Sequence, residues 1–381
     1  MKKIVISILI VFMLSMFGVG AVAAAEEKKV LDIDCRGCCL IDAATGTELY
    51  SSNADARHPI ASMVKIMTTL LALEAIEKDE LKLDEMLMIS ENSSGMGGSQ
   101  MFLDTGDSYS VSDLMKGIIV ASANDACVAI AERLEGSEEA FVDAMNRRAK
   151  QLNMSNTFFA NCTGLPAPGA YSSAKDVSIM TRELIRHKPY FDYSKIWLEN
   201  FIHPDGRTTI LTNTNKLVRF YAGCDGGKTG YTNEAKFCLS ATATKNDMRV
   251  ISVVVGASES KRRFLDSRKL LDYAFANYRN EIKYKANQEA GRLAVKNGKA
   301  KDIAFAPKRD IAELLKRGAQ SEMQVEFELY AVKAPVAIGC KVGEAYTVKD
   351  GKVIDKIDLL ALEGTGKATL GDIYERILGE W

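Results

Sequence analysis

The chain has 381 residues, 47% of them hydrophobic and 26% charged, an ordinary globular composition with enough residues for two domains. Its formal net charge is −1 and no nucleic-acid-binding motif occurs, so nothing points to a nucleic acid as a partner. Only three histidines are present, and none is spaced with a pair of cysteines as a zinc site would require. There is also no glycine-rich phosphate loop, so neither a metal nor another cofactor is predicted.

The N-terminus has the three parts of a secretory signal. Lys2 and Lys3 precede an apolar run over residues 4–19, and small residues at 21–25 come before a charged stretch. A membrane-spanning anchor is the alternative, but the apolar run is short for a span and the small residues fit a cleavage site. We therefore expect residues 1–25 to be a signal peptide. The mature protein would lie outside the cytoplasm, in the cell wall or at the outer face of the cytoplasmic membrane.

The first half of the mature chain predicts a strand pair followed by helices. Residues 39–42 and 45–50 are typical of two strands joined by a turn. Residues 61–76 have apolar positions at helical spacing and few polar ones, which is typical of a buried central helix. A long helical stretch over 111–134 is interrupted around Ser122. Two more helices are predicted, over residues 137–152 and 174–187.

The pattern changes to β twice in the second half. Residues 237–243 and 250–255 predict a hairpin, after which residues 262–278 return to the helical period. From about residue 287 the period of two dominates, and a turn at 349–352 predicts another hairpin.

These patterns predict an α+β chain with two domains after the signal peptide. We place a catalytic domain at residues 26–285 and a small β-rich domain at 286–381. The last residues, 373–381, form a short amphipathic segment. Because membrane-lying helices are usually basic on their polar face and this segment is acidic, a peripheral membrane contact is only the secondary interpretation of it.

The sequence favours a serine enzyme whose base is lysine. A G-x-S-x-G elbow and an H-E-x-x-H motif are both absent, and the three histidines have no catalytic context. A lysine held in a dry pocket near other cations has a lowered pKa and can accept a proton at neutral pH. Serine and lysine three residues apart on a helix lie on one face, so the S-x-x-K spacing can pair them.

Three short motifs are compatible with this chemistry, and two of them are ambiguous. K-T-G occurs once, at Lys228-Thr229-Gly230. S-x-x-K occurs at Ser62/Lys65, Ser172/Lys175 and Ser258/Lys261. S-x-N occurs at Ser51/Asn53, Ser90/Asn92 and Ser122/Asn124.

Context selects one member of each set. Ser62 opens the buried helix, where backbone N–H groups and the helix dipole favour a developing oxyanion. We interpret Ser172 as the N-cap of the helix that follows it, and Ser258 as part of a charged loop. Ser122 interrupts a helical stretch, whereas Ser51 and Ser90 lie in polar turns. The K-T-G segment precedes the predicted hairpin, so it would edge an antiparallel sheet that can pair with an extended peptide.

The order S-x-x-K, S-x-N, K-T-G is the signature of penicillin-binding proteins and serine β-lactamases. The segments around these motifs, at residues 59–68, 98–102, 122–129, 171–176 and 225–230, closely resemble those of D-alanyl-D-alanine carboxypeptidases, the low-molecular-mass penicillin-binding proteins. The resemblance covers most of the mature chain. It implies a β-lactamase/transpeptidase-like fold, an antiparallel sheet with a helical cluster, followed by a β-rich domain.

The resemblance also implies a mechanism. Ser62 would attack the carbonyl of the penultimate D-alanine of a peptidoglycan stem peptide, and Lys65 would take its proton. Ser122 would relay a proton to the leaving amine, while Asn124 would hold the substrate amide and orient Lys65. Penicillins and other β-lactams would be covalent inhibitors of the same serine. The activity would be that of a serine-type D-Ala-D-Ala carboxypeptidase.

The remaining implied roles concern the substrate carboxylate and the oxyanion. Lys228 and Thr229, followed by Gly230, would recognise the carboxylate. Backbone N–H groups of Ser62 and Tyr231 would form the oxyanion hole. A cation after the second hairpin strand would complete carboxylate recognition; Arg263 matches best, and the adjacent Arg262 stays open.

Two alternatives use the same acyl chemistry. A class A β-lactamase should carry S-D-N, but Ala123 replaces the Asp here, and such enzymes lack the additional domain. A D,D-endopeptidase or crosslinking transpeptidase is the other alternative.

One feature has no assigned role: Cys35, Cys38 and Cys39 cluster near the mature N-terminus, which is compatible with partial disulfide formation or with a reducing habitat.

Overall fold

The computed structural model describes residues 31–372 and Tyr374. The predicted signal peptide lies outside the described residues, and so does the predicted amphipathic end apart from Tyr374. Among the residues that are described, no helix is long and apolar enough to cross a membrane.

The first part of the chain contains two strands, then helices with two small hairpins between them. A 3-10 turn, Ala61–Val64, leads into the first helix, and a π-helical segment, Gly117–Ala121, follows the third. In chain order the elements are β1 Gly37–Asp42, β2 Glu48–Ser52, α1 Lys65–Glu77, β3 Met86–Met88, α2 Glu91–Ser94, β4 Ser108–Ser110, α3 Val111–Lys116, α4 Asn124–Glu135, α5 Glu138–Gln151, α6 Ala174–Leu184, α7 Tyr190–Ser194, β5 Leu198–Ile202, β6 Thr208–Thr212 and α8 Leu217–Phe220.

The second part contains three long strands and a long helix, and then strands alone until the C-terminal turn of helix. The elements are β7 Cys224–Thr232, β8 Lys236–Lys245, β9 Met248–Ala257, α9 Ser260–Asn277, β10 Tyr278–Tyr284, β11 Gly291–Lys296, β12 Asp302–Pro307, β13 Ile311–Lys316, β14 Gln324–Leu329, β15 Val332–Lys333, β16 Lys341–Lys349 and β17 Lys352–Ala361.

The main sheet joins the first two strands to the three long ones in the order β2-β1-β9-β8-β7, with antiparallel neighbours. Its two faces are covered by different helices. The Cys39 thiol on β1 reaches Ser178 on α6, whereas Tyr50 on β2 meets Tyr273 on α9 with ring centroids 6.1 Å apart. Strand β7, which carries the K-T-G segment, is an edge of this sheet.

Helix α1 lies in the middle of the larger hydrophobic core, as the sequence predicts. Its first six residues, from Lys65 to Leu70, are all buried. An apolar surface this wide can be satisfied only by neighbours on every side. The helix therefore holds the residues at its N-terminal end in fixed positions.

The helical stretch over 111–134 is interrupted around Ser122, as the sequence predicts, and the interruption has a structural cause. After α3 the chain widens into the π-helical segment, and Ser122 then adopts a left-handed conformation with φ 66° before α4 begins at Asn124. A non-glycine residue in this region is strained and persists only where its surroundings determine it. The break turns the Ser122 side chain out of the helix.

One detail of the helix over 174–187 differs from the prediction. The N-cap is Ser173, whose Oγ accepts from the N–H of Asp176 at 3.1 Å, and not Ser172. Ser172 instead pairs its backbone with His58 and its hydroxyl with Thr157. Both serines precede the apolar pattern, so sequence alone could not decide which of them has cap geometry.

The last strands form a second sheet with its own core. The sheet has the order β14-β16-β17-β12-β11-β15, and β10 pairs with β13 as a separate antiparallel ribbon. Buried apolar side chains, among them Ile303, Phe305, Val342 and Leu359, fill this second core. The predicted turn lies between β16 and β17, with Asp350 and Gly351 at positive φ.

Candidate active site

Ser62 and Lys65 meet at the N-terminal end of the buried helix. Ser62 lies in the 3-10 turn and is partly exposed, while Lys65 is fully buried. The Lys65 Nζ atom is 3.2 Å from Ser62 Oγ. It also donates at 2.6 Å to Asn124 Oδ1 and at 2.6 Å to the carbonyl of Thr163. The amine is therefore held by two firm acceptors while it faces the serine oxygen.

Burial lowers the pKa of Lys65 from its ordinary value, because the charged ammonium loses its hydration. The nearby Cys127, Cys162 and Asp125 oppose this shift. A lowered pKa increases the fraction of neutral amine near neutral pH, and only the neutral amine can accept the serine proton.

A second lysine faces the site from the edge strand. Lys228 on β7 is buried, and its Nζ donates to Ser122 Oγ at 2.8 Å and to the carbonyl of Thr229 at 3.0 Å. Burial, and after it the charge of Lys65, hold the pKa of Lys228 well below its ordinary value. The left-handed Ser122 thus brings its hydroxyl to one lysine, and Asn124, two residues later, binds the other.

Asn124 fastens the start of α4 to the loop before it. Its Nδ2 donates to the carbonyl of Gly97 at 2.6 Å, and its backbone N–H donates to the carbonyl of Ser99 at 2.7 Å. With its oxygen on Lys65, the Asn124 side chain has a partner at each end. The amide is therefore held in a single orientation.

The rest of the K-T-G segment lies against the nucleophile turn. A Cβ on Gly230 would lie 2.6 Å from the carbonyl oxygen of Ile60 and 3.2 Å from the backbone N of Ser62. Only glycine allows this approach without displacement. Thr229 is buried next to Lys228. The structure thus brings Thr229 and Gly230 into the site with the other motif residues.

Tyr231 and Arg263 are placed less directly. The Tyr231 side chain is 51% exposed, stacks on Phe237 with ring centroids 4.5 Å apart and donates its hydroxyl to Asn233. The side chain is therefore directed towards Phe237 and Asn233, whereas its backbone continues β7. Arg263 on α9 donates to the carbonyl of Gly230 at 3.0 Å, so it reaches the K-T-G strand.

The alternative to Arg263 points elsewhere. Arg262 pairs with Asp266 at 3.2 Å and with Asp34 at 3.8 Å. Burial lowers the pKa of Arg263 to about 10, which still leaves a full positive charge at neutral pH. The geometry therefore associates Arg263 with the site rather than Arg262.

The other S-x-x-K and S-x-N matches are engaged outside the site. Lys175 pairs with Asp55 at 3.9 Å, and Ser258 donates to Asp34 at 2.7 Å. Ser51 donates to Glu48, and Ser90 caps α2 by accepting from the N–H of Ser93.

Sequence reasoning missed two groups that shape the site. The Thr163 carbonyl is presented by a turn in which Asn161 Oδ1 accepts from the N–H groups of Thr163 and Gly164. The signal for it was the Asn-x-Thr-Gly segment, since Asn side chains form such turns. Backbone carbonyls have no residue type, so this ligand of Lys65 could not be found from a motif.

Asp125 is the second missed group. Its carboxylate is 1% exposed and accepts from the N–H groups of Met101 at 3.1 Å and Leu103 at 3.2 Å. It also accepts from the N–H of Ala126 at 2.9 Å. Asp125 thereby ties the loop that carries Gly97 and Ser99 to the start of α4. The signal was an acidic residue in the first turn of α4, directly before an apolar run over residues 126–131.

A serine with a buried lysine 3.2 Å from its oxygen, on an α+β scaffold with K-T-G at a sheet edge, defines a serine hydrolase of the Ser-Lys type. Two family models match the chain: D-alanyl-D-alanine carboxypeptidase over residues 22–259, and the C-terminal domain of penicillin-binding protein 5 over residues 278–367. The chain therefore belongs to the D-alanyl-D-alanine carboxypeptidase family.

Similarity to individual proteins supports the same family. The chain is 39% identical to D-alanyl-D-alanine carboxypeptidase DacF of Bacillus subtilis, over 100% of this chain and 99% of the relative. It is 34% identical to DacC of Escherichia coli, over 92% and 89%. Among solved structures, penicillin-binding protein 5 of Haemophilus influenzae has a TM-score of 0.68 and 32% identity, over 88% of this chain and 99% of the other.

These findings confirm the predicted family, the serine-peptidase class and the fold class, an α+β catalytic domain followed by a β-rich one. The roles of the individual site residues and the domain boundaries at 25/26 and 285/286 stay predictions.

Proposed function

We propose that this protein removes the terminal D-alanine from peptidoglycan pentapeptides through an acyl-enzyme on Ser62, and that penicillins acylate the same oxygen. One observation carries the proposal: buried Lys65 connects Ser62 to Asn124, and buried Lys228 connects Ser122 to the K-T-G strand. The similarity to named carboxypeptidases over the full chain supports the choice of substrate.

Acylation begins with a proton transfer. Neutral Lys65 takes the proton of Ser62, and Oγ attacks the carbonyl of the penultimate D-alanine. The negative charge that develops on the carbonyl oxygen is stabilised by the N–H groups of Ser62 and Tyr231, at the N-terminal end of a helix and on the edge strand.

Release of D-alanine needs a proton on its amine. Ser122 is suited to supply it, because its hydroxyl accepts from Lys228 and its left-handed backbone turns the side chain into the site. Ser122 donates to the leaving nitrogen and is reprotonated from the lysines. Water then attacks the acyl-enzyme with Lys65 as base, and Ser62 is regenerated.

The free carboxylate of the substrate is recognised by charge. Lys228 is buried on β7 and Arg263 is half-buried beside it, with Thr229 between Lys228 and the glycine. A carboxylate placed against them compensates charges that burial has deprived of water. The stem peptide would lie along the open edge of β7 and add a strand to the sheet.

The same proposal covers where the protein works and how its domains are divided. Residues 1–25 would direct export, residues 26–285 would carry the chemistry, and residues 286–381 would form the accessory domain. The protein would work in the cell wall or at the outer face of the cytoplasmic membrane. A peripheral membrane contact through the C-terminal segment remains the secondary interpretation.

One experiment tests the chemistry. Purified protein treated with a fluorescent penicillin should carry a stable adduct on the peptide that contains Ser62, and Ser62→Ala should carry none. Ser172→Ala, from a second S-x-x-K match, is the matched control and should label normally. An adduct on Ser172 or Ser258 would contradict the assignment, and rapid turnover of the drug would indicate a β-lactamase.

A second experiment separates the remaining alternatives. The chain is similar to the DD-transpeptidase of Streptomyces K15, with 28% identity over 65% of this chain, so transpeptidation is an alternative that needs its own test. Incubation with pentapeptide muropeptides should release free D-alanine and leave tetrapeptides. Crosslinked dimers as the main product would favour the transpeptidase, and cleavage of existing crosslinks would favour the endopeptidase.

A further inference from the structure

Two of the clustered cysteines form a pair at the start of β1. Cys35 and Cys38 enclose Arg36 and Gly37, so their spacing is C-x-x-C. The chain bends at residues 35–36, where the Cys35 thiol donates to the carbonyl of Gly37 at 3.3 Å and interacts with the Cys38 thiol. Cys35 is half-buried, whereas Cys38 is fully buried, and both are free thiols. One sulfur is thus open to reagents while its partner is enclosed.

The third cysteine is not part of this pair. Neighbouring residues of a strand point to opposite faces, and the Cys39 thiol reaches Ser178 on the α6 face. Within the part of the chain that the structure describes, no three His, Cys, Asp or Glu side chains are grouped to hold a metal ion. The pair is therefore suited to thiol chemistry between two sulfurs.

Backbone and side-chain contacts hold the bend in place. The N–H of Arg36 donates to the carbonyl of Val255 at 3.0 Å, and its Nη1 donates to the carbonyl of Glu234 at 2.6 Å. Just before them, the N–H of Asp34 donates to Asp266 at 3.1 Å. Because the bend is fixed at these points, the thiols are held together without the entropy cost of closing a loop.

The two thiols differ in their proton affinity. The hydrogen bond from Cys38 is the largest cause that lowers the pKa of Cys35, and burial and the carboxylates of Asp266 and Asp34 oppose it. The same hydrogen bond, together with burial, raises the pKa of Cys38. Cys35 is thus the better nucleophile, and Cys38 keeps its proton until a second step.

We propose that Cys35 and Cys38 are a dithiol–disulfide site that reacts with external disulfides. The Cys35 thiolate attacks one sulfur of R–S–S–R, the S–S bond breaks, and R–S⁻ leaves and takes up the proton that Cys35 lost. Cys38 then gives up its proton and attacks Cys35 Sγ, which expels the second R–SH. The pair loses two electrons and two protons, and the external disulfide gains them as two thiols.

Such a disulfide would act as a reversible modification and would add little to the stability of the fold. The ring that it closes spans only four residues, and the stability gained from a disulfide falls as the loop shortens. A half-buried sulfur also stays open to thiols that reverse the reaction. The proposal is independent of the carboxypeptidase activity, since none of the residues of the pair belongs to the candidate active site.

The test uses the full chain with two disulfides, glutathione disulfide as a small molecule and an oxidised thioredoxin as a protein. Each is mixed with reduced protein, quenched with acid and alkylated, and the cysteine peptides are mapped by mass spectrometry. We expect a Cys35–Cys38 link that dithiothreitol reverses. A faster reaction with one reagent identifies the source, small molecule or protein, and supports the site in either case.

Variants test the order of events. In Cys38→Ser the glutathione adduct on Cys35 should accumulate about tenfold or more above wild type, because nothing resolves it. Cys340→Ser, which removes a partly exposed cysteine of the second domain, is the matched control and should behave as wild type. Penicillin labelling of Ser62 reports folding in each variant. Two results would overturn the proposal: alkylation of both Cys35 and Cys38 in the wild type at every disulfide concentration, or an adduct on Cys38 in Cys35→Ser. Whether the Cys35–Cys38 disulfide forms is decided by the peptide map of the wild-type protein alone.

Discussion

The proposed role of Lys65 as a base requires that its side chain can lose a proton. This requirement can be tested with a substitution that keeps the positive charge. Lys65→Arg keeps a cation but replaces an amine of lowered pKa by a guanidinium that does not lose its proton. We expect the second-order rate of penicillin acylation to fall by about 10³-fold, within the usual range for loss of a general base. Lys175→Arg, in the exposed S-x-x-K match, should leave the rate unchanged.

The same amine predicts a pH profile. Because the pKa of Lys65 is lowered, neutral base appears at a pH below that of an ordinary lysine. Acylation should therefore rise with pH and level off below the ordinary lysine value near 10.4. The two lysines interact, so the measured midpoint belongs to the pair. A rate that is still rising steeply above the ordinary value would contradict the assignment.

Asp125 is expected to position the site rather than to react. Asp125→Asn places an NH₂ group among backbone N–H donors, so at least one of them loses its acceptor. We expect a loss of about 1–3 kcal/mol in the free energy of unfolding, typical of a buried unsatisfied group, and slower acylation as the loop that binds Asn124 shifts. Urea unfolding and penicillin labelling measure the two effects.

Asp176→Asn separates stability from positioning. Asp176 is 2% exposed and accepts from the N–H of Asn156 at 2.7 Å, so it resembles Asp125 in burial and bonding. It should lose a similar amount of stability and keep its acylation rate. Equal acylation in both variants would show that Asp125 has no positioning role.

Among whole elements, β7 and the nucleophile turn are packed so closely that a methyl group should separate them. Gly230→Ala would place Cβ 2.6 Å from the Ile60 carbonyl oxygen, and neither strand nor turn has a flexible end that could move aside. We expect acylation to fall by about tenfold or more, since displacements near 1 Å cost that much in positioned reactions.

Gly97→Ala is the control for this substitution. Gly97 also belongs to the site, because its carbonyl binds Asn124, but an added Cβ would meet nothing within 4 Å. Its acylation rate should stay near wild type. If both alanines were equally slow, the cause would be glycine itself and not the contact between β7 and the turn.

At this scale the sequence predicted which elements exist, and that the long helical stretch breaks around Ser122, better than it predicted the backbone geometry of that break. Periodicity located the buried helix, the hairpin of β8 and β9, and the β-rich second domain, since each depends on a regular pattern of burial. It could not predict the π-helical segment or the left-handed Ser122, because these depend on contacts with Lys228 and β7 that are remote in sequence. For the same reason, choosing Arg263 over Arg262 needed the position of Gly230.

For the molecule as a whole, the candidate active site lies entirely in the first sheet and its helices. The β-rich part of the chain from β10 onward, where the C-terminal family model begins at residue 278, contacts this part through β10 and a few side chains. Asn280 donates to Asp42 at 2.8 Å, and Arg317 donates to the Phe275 carbonyl. The Streptomyces enzyme covers only 65% of this chain. The chemistry should therefore not require the second domain.

A chain that ends at Asn277 should keep its penicillin acylation rate within about threefold of the full chain, because domains with separate cores can fold alone. Its midpoint of thermal unfolding should fall by a few degrees as the contacts with β10 and Arg317 are lost. Asn280→Ala in the full chain, which removes one of those contacts, should show a smaller decrease. Loss of acylation in a truncated chain that still unfolds cooperatively would assign the second domain a part in the site.

The two buried lysines also bear on how the proposed enzyme would avoid cleaving other proteins. A peptide bond in the middle of a protein brings no carboxylate to Lys228 and Arg263, and its continuing chain would bury those cations without a counter-charge. On the proposed function, binding any internal peptide bond would carry the free-energy cost of burying these cations unpaired. Binding a free chain end would not, because its carboxylate pairs with them. Discrimination against the internal peptide bonds of other proteins would thus follow from unpaired positive charge in the site and would require no steric barrier.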